Sequence, residues 1–125
     1  MSETPHVQAV VVSDTTGIIR HWNADAERLI GYSATEAEGQ SLNLIVPEEY
    51  RDRHWNAFHA AMRTGVCNAD RGTTNIPVRC KDGIVRPLPG RFVFLMDARN
   101  HPVGALAIWT TPAGGEQPFG PIVPL

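Results

Sequence analysis

The sequence has no apolar run near the roughly 20 residues that cross a bilayer, and no basic segment stands ahead of its first apolar stretch, MSETPHVQAVVV. That pattern predicts a cytoplasmic protein without a membrane partner. Cysteine is scarce. Cys67 and Cys80 are the only two, outside any CxxC or paired metal-ligand spacing, which predicts free thiols in a reducing compartment rather than a disulfide framework. Excess positive charge is also missing, and a net charge of -2 offers no broad attraction to nucleic acid or anionic lipid. Nor does the chain carry GxSxG, a Walker-type loop, HExxH or a paired-carboxylate signature; the expectation is a protein that is not an enzyme.

What is present is an ordinary globular composition of 125 residues, 42% hydrophobic and 19% charged, the size of one domain around one core. VQAVVVSD and TTGIIRHWN read as two strands joined by a turn at Asp14 to Gly17. Asn23 then caps a helix, ADAERLIG, that stops at Gly31. Short helices follow near SATEAEG and SLNLIV. Pro47 stands in the first turn of the longest helix, about residues 48–64, which Gly65 closes. Glu48 and Glu49 suit the dipole of that first turn. Extended segments follow at residues 67–79, 84–96 and 102–111, with turns at KDG and ARNHP.

This order predicts an α+β fold, a five-stranded antiparallel sheet with helices packed on one face, in a single domain over residues 1–111. No internal repeat is visible. Residues 112–125, PAGGEQPFGPIVPL, read as a Pro/Gly-rich tail without regular structure. Its Phe119, Ile122, Val123 and Leu125 are more apolar than a solvated tail requires, which points to packing on a surface or a partner.

Two of the five histidines lie in YRDRHWNAFHAAMRTG. At about 100° per residue, Tyr50, Trp55, Ala57, Phe58, Ala61 and Met62 share one arc, and Asp52, Asn56 and Arg63 lie opposite. His54 falls in the middle of the apolar arc, and His59 falls at the edge of the polar one. The two are about 140° apart, too divergent to chelate one ion together. From pattern alone, an inward histidine is either a hydrogen-bonded core residue or a ligand. His6, His21 and His101 sit at strand ends and turns, where solvation is the default. Gly90, inside LPGRFVFL, marks either a close approach of ligand or backbone, or a bulge helped by Pro87 and Pro89. Phe92, Phe94, Leu106 and Ile108 read as core residues that would also line a cofactor pocket. Trp22, Trp55 and Trp109 read as packing residues, with Trp55 or Trp109 available to a dimer face.

The stretch AVVVSDTTGIIRHWNADAERLIGYSATEAEGQSLNLIVPEEYRDRH resembles the front half of a PAS domain, and RTG, KDG and the GALAI strand are similar to its back half. The resemblance covers about residues 7–111 and implies a sensory module whose signal depends on what the core holds. It also implies a homodimer acting through a separate output protein, since a strand ending in RD-x-T and a signalling helix are replaced here by Trp109, Thr110, Thr111 and Pro112. The NCRFLQ motif of flavin-binding relatives is absent, so covalent flavin photochemistry is not expected.

The long helix is similar to that of heme-binding PAS domains of oxygen-sensing kinases, in the order Glu49, Tyr50, Arg51, Arg53, His54 and Phe58. That likeness implies heme b as cofactor, His54 as metal ligand and a diatomic gas (CO, NO or O2) as signal. The implied pocket takes in Tyr50, His54, Phe58, Ala69, Gly72, Thr74, Gly90, Phe92, Leu106 and Ile108. The chain departs from those kinases where they carry propionate partners and a distal arginine, having Ala60, Asn68 and Thr74 instead. Arg53, Arg63 or Arg71 is left to meet the propionates. Gly72 at the position of a distal methionine implies an open sixth site, with Thr74 as a weak donor. The alternative is a PAS domain that binds an organic small molecule or serves only in dimerisation.

Overall fold

A computed structural model describes residues 7–65 and 74–111. Strand β1 (Ala9–Ser13) turns back into β2 (Ile19–Trp22), helices α1 (Ala24–Ile30) and α2 (Ala34–Ala37) follow, and two single 3-10 turns lead to the long helix α3 (Arg51–Thr64). Strands β3 (Thr74–Arg79), β4 (Val85–Met96) and β5 (Pro102–Trp109) complete an antiparallel sheet in the order β2-β1-β5-β4-β3. The expected α+β layering is the observed one. β1 is an inner strand because β5, the central one, returns beside it, pairing Ala9 with Trp109 and Ser13 with Ala105.

Local chemistry explains most boundaries. The β1–β2 turn is knotted by Asp14, whose Oδ1 accepts from Thr16 N at 2.9 Å, Thr16 Oγ1 at 2.7 Å and Ile18 N at 3.1 Å. Asn23 caps α1 by accepting from Ala26 N at 2.9 Å, and the same oxygen accepts from Val10 N at 2.9 Å, tying the helix start to the sheet. Ser33 and Glu36 form a reciprocal capping box on α2.

The long helix differs from expectation in its first turn. Pro47 offers no capping side chain, so Glu48–Tyr50 tighten into a 3-10 turn, with Tyr50 N bonded to Pro47 O at 2.9 Å, before α3 begins at Arg51. The front of the third extended segment, residues 67–73, lies outside the described residues, as does the tail 112–125.

The core joins the inner sheet face to the helices. Val11, Ile19, Ile30 and Val78 are its largest fully enclosed side chains, each contributing about 1.5–3 kcal/mol by leaving water. Trp22 and Trp109 are also core residues, at 3% exposure. Their indole N–H groups donate to Tyr32 O and Ile76 O, so Trp109 is not available to a dimer face.

Candidate functional site: a cavity between α3 and the sheet

Helix α3 lays one stripe on the sheet. Phe58 and Ala61 are buried, Asp52, Asn56, His59 and Arg63 are exposed, and the Phe58 ring meets Phe94 of β4 at 6.1 Å between centroids. Towards the start of the helix the contact opens into a cavity of about 90 Å³. Tyr50, Arg53, His54, Ala57 and Phe58 form its helix wall, and Val11, Ser13, Phe92, Phe94, Ala105 and Ala107 stand on the sheet wall. Small side chains at 57, 105 and 107 leave room that larger ones would fill.

His54 is fixed by aromatic neighbours. Its ring stacks on Phe58 at 5.9 Å and meets Trp55 edge-on at 4.7 Å, while Trp55 Nε1 donates to Asn43 Oδ1 at 2.7 Å. Gly17, at a positive φ of 82°, lies under this indole, and a side chain there would collide with it. Burial, followed by the nearby charge of His59, lowers the His54 pKa to about 4. The imidazole is therefore neutral at pH 7 and keeps one bare ring nitrogen able to donate an electron pair. Nδ1 is enclosed and has no hydrogen-bond partner among the described residues. Such an orphan costs about 1–3 kcal/mol when nothing satisfies it.

Of the residues expected at the site, Tyr50, His54, Phe58, Phe92 and Leu106 border this cavity. Ile108 and Thr74 are not among its lining residues. Along β5 the inward phase belongs to Ala105, Ala107 and Trp109, opposite to that of Ile108. Gly90 is also outside it. Its close neighbour is the Trp109 ring, which an added Cβ would meet at 2.7 Å, so the glycine makes way for packing rather than for a ligand. Ala69, Gly72, Asn68 and Arg71 lie outside the described residues. Arg53 lies on the helix wall with its guanidinium 5.1 Å from the Tyr50 ring centre, while Arg63 is exposed.

Sequence reading missed Ser13, Ala105 and Ala107. The signal for Ser13 was present, because Ala9, Val11 and Ser13 share one phase of β1 and Ser13 is its polar member.

The PAS fold family matches residues 7–110. The chain belongs to the PAS fold family. The PAS domain of a protein from Colwellia psychrerythraea superposes with a TM-score of 0.70 at 27% identity, covering 85% of this chain and 86% of that one. Sensor protein FixL of Bradyrhizobium diazoefficiens is 48% identical over 46 residues, 37% of this chain and 9% of the relative. An uncharacterized protein of Azorhizobium caulinodans is 30% identical over 82 residues, 65% of this chain and 11% of that protein. This PAS chain thus spans about a tenth of the length of these two relatives. The PAS domain of the Cronobacter turicensis RpfR quorum-sensing receptor, solved with C12:0, shares the fold at a TM-score of 0.61 and 17% identity, covering 91% of this chain and 99% of that one. Among the described residues no helix is long and apolar enough to cross a membrane.

Proposed function

We propose that this PAS domain is a sensory module that binds heme b with His54 as proximal iron ligand and responds to a diatomic gas or to redox state. The observation that carries the reading is the neutral, half-buried imidazole of His54, whose enclosed Nδ1 has no partner among the described residues, on the wall of an apolar cavity. A heme iron would be held by one such imidazole in apolar surroundings. It needs no cage of ligands, and the described residues hold no cluster of three or more His, Cys, Asp or Glu side chains. Heme, when bound, supplies the iron at which gas ligation or electron transfer takes place. The chain's own part is to offer the His54 nitrogen, to orient that ring between Phe58 and Trp55, and to keep water away with Val11, Phe92 and Phe94. Arg53, on the helix wall of the cavity, would be a candidate to meet a propionate. The similarity of the α3 sequence to heme-binding PAS domains supports the same reading.

Cavity size favours a second reading. A volume of about 90 Å³ is smaller than the ~150 Å³ cavity that takes benzene. Heme requires the walls to part, whereas an organic molecule of a few non-hydrogen atoms fits between them as they stand and meets His54 through a hydrogen bond. We propose a homodimer working on a separate output protein, with residues 1–111 acting as one non-catalytic domain.

Titration of the purified protein with hemin tests the choice. The heme reading expects an intense Soret band, CO uptake by the ferrous form, loss of retention in His54→Ala and normal retention in His59→Ala. Equal retention in both variants removes His54 as the ligand. A wild-type protein that ignores hemin leaves the organic-ligand reading.

A further inference from the structure

Ser13 is the second polar group on the cavity wall without a partner. It is 2% exposed, and its Oγ, like His54 Nδ1, has no hydrogen-bond partner among the described residues. Its inward neighbours are Ala9 and Val11 on β1 and Ala105 and Ala107 on β5. Alanine at 13 would fill almost the same space without placing a hydroxyl out of reach of water, which costs about 1–3 kcal/mol when unpaired. Nor does the hydroxyl take the usual escape of bonding back to local backbone.

The position is rigid. β1 is paired on both edges, and the Ser13 carbonyl lies so close to Gly104 that a Cβ there would come within 2.2 Å of it. His54 stands on the helix wall of the cavity and Ser13 on the sheet wall, so a ligand between them faces an imidazole on one side and a hydroxyl on the other.

We propose that Ser13 is the sheet-side polar contact of the ligand held at His54, its hydroxyl hydrogen-bonding the ligand atom that faces the sheet and thereby selecting which ligand is kept. The proposal rests on the reading that this cavity holds a ligand. It adds a donor that the sequence comparison with heme-binding relatives did not supply, since Thr74 lies outside the cavity lining. With an organic ligand, that donor favours a hydroxyl, which can donate or accept and so complements both the serine and either tautomer of the imidazole.

The test compares wild type with Ser13→Ala, a change that removes one oxygen. In heme-free protein, histidine-ring NMR follows binding of 1-propanol and of n-butane. The variant is expected to weaken propanol several-fold and leave butane unchanged. Propanol binding that is indifferent to Ser13→Ala overturns the role of Ser13 and leaves the His54 reading standing. A wild-type protein that takes up neither heme nor propanol overturns both.

Discussion

Ser13 and Asp14 are adjacent in the chain and opposite in circumstance. Asp14 sits in the surface turn, where burial is the largest single influence on its carboxyl and pushes the pKa up, but Thr16, Ile18 and Arg20 all donate to the carboxylate and together outweigh it, holding the pKa well below the usual carboxylate range. Ser13, one residue earlier, points inward with its hydroxyl unpaired, as does His54 across the cavity. The turn uses polar atoms to set the shape of the chain. The cavity wall carries two polar atoms, Ser13 Oγ and His54 Nδ1, that the fold among the described residues does not pair.

The largest effect that sharpens this contrast is pH dependence. His54 titrates at about 4 in the fold against 6.5 as its ordinary value, so the folded state binds fewer protons between those limits. Stability is full above pH 6.5 and falls as the pH drops, by about 3 kcal/mol when pH 4 is reached. The paired carboxylates lose their contribution only at lower pH, within and below their ordinary range, so the window from 6.5 to 4.5 belongs to His54. Urea midpoints at pH 7 and 4.5 check this, and His54→Leu is expected to remove most of the slope.

Next comes Gly17→Ala. It combines a left-handed backbone with a collision against Trp55 and should destabilise by at least about 2 kcal/mol. Because Trp55 packs on His54, it should also weaken ligand retention, as a hemin titration would show. Asp14→Ala removes the turn's acceptor and is expected to cost about 1–2 kcal/mol in chemical denaturation. Ser13→Ala, by contrast, should be neutral or stabilise the ligand-free protein by up to about 1 kcal/mol, since it deletes an unsatisfied group. If Ser13→Ala destabilises as much as Asp14→Ala, the hydroxyl has a structural partner and the contrast fails.

The sequence made the sheet, the long helix and the inward direction of His54 legible because they rest on short-range rules. Asn23 and Gly31 bracket α1 by capping, Gly65 ends α3 in the left-handed conformation, and spacing along α3 separates His54 from His59. The far wall of the site was harder to read. Whether Ile108 or Ala107 faces inward depends on a one-residue choice of phase in β5, settled by the pairing of Ala9 with Trp109 and Val11 with Ala107. Gly90 was ambiguous because its function depends on Trp109, distant in sequence. Ser13 escaped notice because a serine ending a valine run reads as the start of a turn, and its orphan state emerges only once β5 pairs with one edge of β1 and the cavity closes over the inward side of the strand.

The central claim is that His54 Nδ1 is left unpaired for a ligand. It is tested most directly by resolving the 15N signals of the His54 ring in the heme-free protein and again in the diamagnetic ferrous CO form after hemin loading. The account predicts a neutral ring at pH 7 in the free protein and a large displacement of a His54 ring nitrogen on loading, with the His59 signals nearly still. A loaded protein whose His54 signals are unchanged would contradict it.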